Sequence, residues 1–124
     1  MAFLKSVQSI TGRIIKATAG FYYVLQNNGL IWECALRGKF RLGNQGALVG
    51  DLVSLSPRQG HTGVIEQIFP RKNELLRPPV ANIEQALIIF AIRQPELSRL
   101  LLDRFLLQAE IAGVEPIICL NKIV

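Results

Sequence analysis

Three cations crowd one five-residue stretch, Arg37-Gly38-Lys39-Phe40-Arg41, with a single aromatic among them. Guanidinium and ammonium groups at this spacing can neutralise successive phosphates of a polyanion, and an aromatic between them can stack on a base. Phe40 can instead plug a folded core and leave only the charges outside. We assign Phe40 to the core and Arg37, Lys39 and Arg41 to RNA contact. Lys16, Arg71 and Lys72 are further candidates for RNA binding, as is Arg77, although Arg71 and Lys72 can equally tie one part of the chain to another. Tyr22 and Tyr23 are adjacent, so in a strand they point to opposite faces. One then enters the core and the other is left for stacking. Trp32 is read as core.

Charge is distributed in the same sense. Residues 1–80 hold ten Lys/Arg against four Asp/Glu, whereas residues 81–124 hold four against five. A basic half beside a near-neutral half is the footprint of a chain whose first part meets a polyanion. Other chemistry finds little support. His61 lies in the polar stretch Arg58-Gln59-Gly60-His61-Thr62-Gly63 with no second ligand or nucleophile beside it, and reads as a loop residue. Cys34 and Cys119 are far apart, each inside an apolar segment. They read as two reduced, buried thiols rather than a disulfide, and no metal site is expected in this chain. No apolar run approaches the ~20 residues of a membrane-spanning helix. The first ten residues lack the sustained apolar core of a secretory signal, so a cytoplasmic location and no membrane partner are expected.

These groups must be positioned by two kinds of element. Residues 14–17, 21–25, 30–36, 53–56 and 64–69 read as short strands. Asn27-Asn28-Gly29 makes a hairpin turn, and Leu30, Trp32, Cys34 and Leu36 alternate with Ile31, Glu33 and Ala35. Five short strands in about 70 residues fit a small closed barrel of the oligonucleotide-binding (OB) type, and fit an SH3-like barrel equally well. Pro78-Pro79 bars a helix, so residues 71–82 read as a stiff, extended joint. Beyond it, residues 85–92 and 116–120 are nearly unbroken apolar runs, the mark of parallel strands buried on both faces. Between them residues 97–112 read as a helix closed by Gly113 at its C′ position. One apolar face of that helix carries Leu101, Leu102, Phe105, Ala109 and Ala112, and a second carries Leu97, Leu100, Leu107 and Ile111. Strand, helix, strand is a right-handed βαβ crossover. Two strands and one helix cannot cover all this apolar surface, so the α/β unit is expected to be incomplete, with self-association through it as one outcome.

Asn121-Lys122-Ile123-Val124 follows directly on the last apolar run. Asn-Lys-x-Asp in that place is the guanine-recognition motif of GTPases: the Asn bonds the base, the Lys stem packs along it, and the Asp accepts two bonds from its edge. No phosphate loop of the G-x-x-x-x-G-K-[ST] kind precedes it. That inverted order resembles the circularly permuted GTPases. Other stretches carry the likeness further: Gly12-Arg13-Ile14-Ile15-Lys16-Ala17, Gly20-Phe21-Tyr22-Tyr23-Val24, the Arg37–Arg41 cluster, and Leu48-Val49-Gly50-Asp51-Leu52-Val53. Pro70-Arg71-Lys72-Asn73-Glu74-Leu75-Leu76-Arg77-Pro78-Pro79-Val80-Ala81-Asn82 is the most specific, followed by Leu101-Leu102-Asp103-Arg104-Phe105-Leu106. In these the chain resembles the ribosome small-subunit-dependent GTPase A family over nearly its whole length.

The resemblance implies an OB barrel over residues 1–73, a Pro-rich linker over 74–82, and over 83–124 the first βαβ of a circularly permuted P-loop GTPase domain. It also implies GTP binding and hydrolysis coupled to late maturation of the small ribosomal subunit, with that subunit and its rRNA as partners. GTP and magnesium are the implied cofactors, with zinc in a C-terminal domain whose ligands are not among these residues. Asn121, Lys122, Ile123 and Val124 would form the GTP-binding segment, with Val124 in the place of the family's Asp. No catalytic residue is assigned, no cofactor is expected bound here, and the 124 residues by themselves are expected to be inactive toward GTP. The rival readings are a stand-alone RNA-binding OB module with a vestigial tail, and a scaffold that docks a partner through the exposed βαβ.

Overall fold

The computed structural model describes residues 9–38, 46–92 and 99–122. Five strands, β1 (Ile10–Thr18), β2 (Phe21–Gln26), β3 (Ile31–Leu36), β4 (Leu52–Pro57) and β5 (Thr62–Ile68), close into a barrel in the order β1-β2-β3-β5-β4. β4 pairs back with β1, and every neighbouring pair is antiparallel except β3 with β5. One parallel pair in a closed five-strand order is the OB arrangement, which separates it from the SH3-like alternative.

Alternation decides which residues fill the barrel. Trp32, Cys34 and Leu36 are buried along β3 while Ile31 faces out, as the period-2 pattern requires. They meet Ile14, Val24, Val53, Leu55 and Ile65 in one cluster. Each such side chain contributes about 1.5–3 kcal/mol by leaving water. Register shifts that leave one extra residue on β1, at Ile15, and one on β5, at Glu66, bend those two strands, the curvature that closing so small a barrel demands. The β2–β3 hairpin turns where Asn27-Asn28-Gly29 predicts, with the Asn28 carboxamide oxygen accepting from the Leu30 amide at 3.0 Å.

The joint departs from the extended spacer read in the sequence. β6 (Glu74–Leu75) and β7 (Val80–Ala81) pair antiparallel and form a small hairpin. Pro78-Pro79 lie in its turn, where no backbone donor is needed, so the residues that bar a helix do not force an extended chain. The hairpin lies against the barrel. Ala81 donates its amide to the Val49 carbonyl at 2.9 Å, and Gly50 adopts φ +101° with the Ala81 backbone where a β-carbon would have to go. Any L residue at position 50 would be strained in backbone and would collide with the Ala81 carbonyl.

The last unit is β8 (Gln85–Ile92), α1 (Arg99–Ala112) and β9 (Glu115–Lys122), with β8 and β9 parallel and in register from Gln85↔Glu115 to Ile92↔Lys122. Gly113 ends α1 in a left-handed turn: its amide bonds Glu110, and the Val114 amide bonds Ala109. Leu102, Leu106 and Ala109 point inward, a stripe turned toward Leu106 relative to the one read from the sequence, and Leu100, Leu107 and Ile111 are exposed.

The sheet face bearing Leu87 and Ile89 is exposed as well, and so is Cys119, which pairs with Ile89. The expectation of two buried thiols therefore holds for Cys34 only. A run of apolar residues shows that a strand can be covered on both faces, not that it is. Burial, and then the nearby Glu33 charge, push the Cys34 thiol up to about 11, so it stays protonated and unreactive at neutral pH. A thiol reagent added to the native chain should label Cys119 promptly and Cys34 only on unfolding. Equal rates at the two sites, followed by mass spectrometry, would contradict this barrel core.

Candidate nucleic-acid interface

Cross-strand register sorts the candidate residues onto the barrel surface. Lys16 pairs with Tyr23 and Tyr23 with Glu33, so all three share the outer face of β1, β2 and β3. The Lys16 Nζ sits 5.5 Å from the centre of the Tyr23 ring, a cation–π contact, and the Tyr23 hydroxyl donates to Glu33 Oε2 at 3.5 Å. Tyr22 turns the other way and packs on the core. One tyrosine thus goes in and one out, as adjacent strand positions demand. Trp32 is core, its Nε1 donating to Gln26 Oε1 at 3.0 Å, and His61 meets its ring edge-on at 5.5 Å.

Arg37 lies apart from Lys16, at the end of β3 beside β5. Its Nη1 contacts Glu66 Oε1 at 2.6 Å with the side chain still 59% exposed, which leaves the rest of the guanidinium open to a phosphate. Glu66 also accepts from the Ser56 hydroxyl at 2.6 Å. That bond above all holds its carboxyl below the usual range; burial opposes this, and Arg37 adds to it. Lys39, Phe40 and Arg41 lie outside the described residues.

Arg71 and Lys72 stand at the joint. Asp51 has no exposed surface, and Arg71 grips it with two bonds, Nε to Oδ1 at 2.7 Å and Nη2 to Oδ2 at 2.8 Å. Arg71 also donates to the Gly46 carbonyl and to Glu74, while the Leu48 amide donates to Asp51 at 2.7 Å. Asp51 above all holds the guanidinium proton more firmly than in a free arginine, partial burial opposes this, and Glu74 adds to it. Arg71 therefore serves as the tie between joint and barrel. Lys72 pairs with Glu84 at 3.2 Å, both largely exposed. Around this tie, the Asn82 amide nitrogen donates to the Gly50 carbonyl, and Asn73 bridges both backbone groups of Ile83.

Arg13, Phe21, Leu25, Ile31 and Glu33 are not among the site candidates read from the sequence, and register places all five on the outer face. Their signal was available as alternation along residues 21–25, once one strand face was known to be core.

In the α/β unit, Asn121 and Lys122 close β9 opposite Ala91 and Ile92, at the carboxyl ends of adjacent parallel strands. That is where open α/β sheets bind ligands. Ile123 and Val124 lie outside the described residues. The donor set fits guanine in part: an amide for the base and a lysine stem for its plane are present. Valine in the fourth place supplies no carboxylate to accept the guanine edge, so these residues do not make a complete base site. Among the described residues no three His, Cys, Asp or Glu side chains gather as a metal would need.

Two family models match this layout in sequence, the RsgA N-terminal domain over residues 11–65 and the RsgA GTPase over residues 68–124. The chain belongs to the RsgA family. This is the ribosome small-subunit-dependent GTPase A resemblance seen in the sequence. Proteins named small ribosomal subunit biogenesis GTPase RsgA are 50% identical over 117 residues in Caldanaerobacter subterraneus and 47% identical over 112 residues in Halalkalibacterium halodurans. They align with 94% and 90% of this chain, which spans 39% and 38% of their own length. Among solved structures, the circularly permuted GTPase YloQ superposes with a TM-score of 0.75 at 39% identity, over 97% of this chain and 43% of YloQ. YjeQ from Thermotoga maritima does so with a TM-score of 0.78 at 35% identity, over 92% of this chain and 41% of YjeQ. Chain order, barrel and βαβ unit are thus those of the N-terminal part of the RsgA family.

Breaking the buried pair should be costly. Arg71→Ala leaves Asp51 charged and without its partner, and should lower unfolding free energy by about 3–5 kcal/mol. Arg71→Met combined with Asp51→Asn should recover part of that loss. Denaturant melts followed by Trp32 fluorescence measure both. A loss under about 1 kcal/mol in Arg71→Ala would equate the pair with an ordinary surface bridge.

Proposed function

We propose that this chain works in the biogenesis of the small ribosomal subunit. Its OB barrel would hold rRNA mainly through phosphates, and its βαβ unit would open a circularly permuted GTPase domain. The observation that carries this reading is a basic five-strand barrel followed directly by a parallel β8–β9 pair ending in Asn121-Lys122, in the order of the RsgA family. The barrel takes residues 1–73, the joint 74–82 and the GTPase portion 83–124. Arg37, Lys39 and Arg41 meet phosphates, with Lys16 and Lys72 as secondary contacts, and Arg71 serves structure. Asn121 and Lys122 face the guanine of GTP, with Ile123 and Val124 completing that segment at the cost of one carboxylate.

The small subunit is the partner and the cytoplasm the setting. Among the described residues no helix is long and apolar enough to cross a membrane. GTP with magnesium, and zinc in a C-terminal domain, are part of this proposal only as the family resemblance implies them. The incomplete guanine donor set favours one second reading, an RNA-binding module without nucleotide chemistry.

RNA titrations test the first part. Replacing Arg37, Lys39 and Arg41 together by Ala should weaken rRNA binding and flatten its logarithmic salt dependence by up to about 2–3, at roughly 0.7–0.9 per lost phosphate contact. A slope that stays the same would place the contact elsewhere. The polypeptide of these 124 residues should turn over no GTP, because phosphoryl transfer relies on a phosphate loop and magnesium ligands that its sequence does not contain. The same preparation should self-associate through the uncovered sheet face. Chain-dependent GTP turnover, or sedimentation as a monomer at every concentration, would count against the corresponding half of that statement.

A further inference from the structure

We propose that Glu66 is a resident stand-in for phosphate: its carboxylate fills an anion seat made by Arg37, Ser56 and Arg58, and a polyanion enters by exchanging one of its phosphates for that carboxylate. The proposal rests on the reading of Arg37 as a phosphate contact and names the residue that sets how strongly, and to what, that contact binds.

Strand pairing builds the seat. β3 runs parallel to β5 with Leu36 opposite Ile65, and the Arg37 amide donates to the Ile65 carbonyl at 3.3 Å, so Arg37 leaves β3 beside Glu66. Glu66 is the extra residue on β5, where a bulge re-aims the side chain. Ser56 stands on β4 opposite Val64, which makes it the diagonal neighbour of Glu66. Arg58 follows directly on the end of β4 at Pro57. The wall formed by β3, β5 and β4 thus brings two guanidinium groups and a hydroxyl toward one carboxylate.

Both oxygens of that carboxylate are engaged. Oε1 accepts from Arg37 Nη1 and Oε2 from Ser56 Oγ, each at 2.6 Å. The charges of Arg37 and Arg58 both act on the group. Guanidinium and hydroxyl are donors that proteins turn to phosphate oxygens, so this is a phosphate seat with an anion already in it. Folding does not account for the arrangement. The side chains of Arg37 and Glu66 are 59% and 31% exposed, and so open an ion pair contributes little to stability. Asp51 with Arg71 is the opposite case, a carboxylate with no exposed surface.

A tethered competitor acts at high effective concentration. An isolated phosphate, such as that of a free nucleotide, must displace Glu66 from solution and gains one contact for it. A polyanion already held at other cations delivers its next phosphate from close by and competes on equal terms. Glu66 therefore screens lone phosphates from Arg37 and admits a chain of them. After exchange, Arg37 and the Ser56 hydroxyl donate to phosphate and the carboxylate turns to water.

The test titrates the intact chain with a labelled RNA hairpin and with inorganic polyphosphate, which has the charges of RNA without its bases, by fluorescence anisotropy. Glu66→Gln should tighten both about 1.5- to 5-fold, the worth of one exposed ion pair that no longer has to be broken. The gain should vanish when Arg37→Ala is already present, whereas a mere change of net charge would persist there. In the unaltered chain the Glu66 carboxyl carbon, followed by NMR, should titrate at higher pH with polyphosphate bound, because the group has lost Arg37 to phosphate. Trp32 emission verifies that each variant folds. Unchanged or weaker binding by Glu66→Gln, a gain that survives Arg37→Ala, a gain for RNA without one for polyphosphate, or a carboxyl titration that the ligand does not move would each overturn the proposal. Loss of RNA in the Arg37, Lys39, Arg41 variant would then still uphold the reading of the preceding subsection. If no RNA binds at all, that reading falls, and this one with it.

Discussion

Asp51 sits where water cannot reach it, in the short turn between the loop before β4 and β4 itself, and a carboxylate so placed must find all its partners within the protein. Arg71 supplies two bonds and the Leu48 backbone a third. The pairing spans the seam between barrel and joint, so the charge on one cannot be satisfied unless the other is docked. Everything near the seam follows from that. Gly50 can approach the Ala81 backbone because nothing larger stands there, Asn82 reaches back to the Gly50 carbonyl, and Asn73 fixes the chain entering β8. The barrel and the first strand of the α/β unit are therefore joined by a set of directed bonds around one buried charge. A joint of this kind transmits position, which a flexible tether would not.

The two ends of the chain handle apolar surface in opposite ways. The barrel closes on itself, so alternation alone assigns each side chain to core or solvent, and no edge is left among β1 to β5. The β8–β9 pair has continuous apolar runs but one helix beside it, and Leu87, Ile89 and Cys119 remain uncovered. The outer face of the barrel is a third case. Phe21, Leu25 and Ile31 are apolar there by alternation with a filled interior, and cations border them on one side only.

How much of this could be read in advance depended on how local each cause was. The hairpin at Asn27-Asn28-Gly29, the alternation through Trp32, Cys34 and Leu36, and the helix stop at Gly113 are written within a few residues and were legible. The Asp51–Arg71 pair joins residues twenty positions apart, and nothing near either one announces the other. The pairing of Lys16 with Tyr23 depends on the register shift after Ile14, which composition does not reveal. Pro78-Pro79 was read correctly as helix-breaking but wrongly as extended, because the same restriction suits a turn. The exposure of Cys119 was out of reach, since a run of apolar residues cannot say what lies across from it.

The pairing of β3 with β5 also governs the order in which the chain can acquire its shape. Glu33 meets Thr62 and Leu36 meets Ile65, so one wall of the barrel is missing until residues some thirty positions further on have joined. β1 likewise waits for β4. The β1–β2–β3 meander can form early from local contacts, but it has no enclosed interior, and Trp32 gains its full cover only at closure. Non-local pairings of this kind pay the loop-closure entropy first and slow the search. On a translating ribosome the barrel cannot close until β5, which ends at Ile68, has emerged. The charge at position 51 would wait longer still, until Arg71 had cleared the exit tunnel.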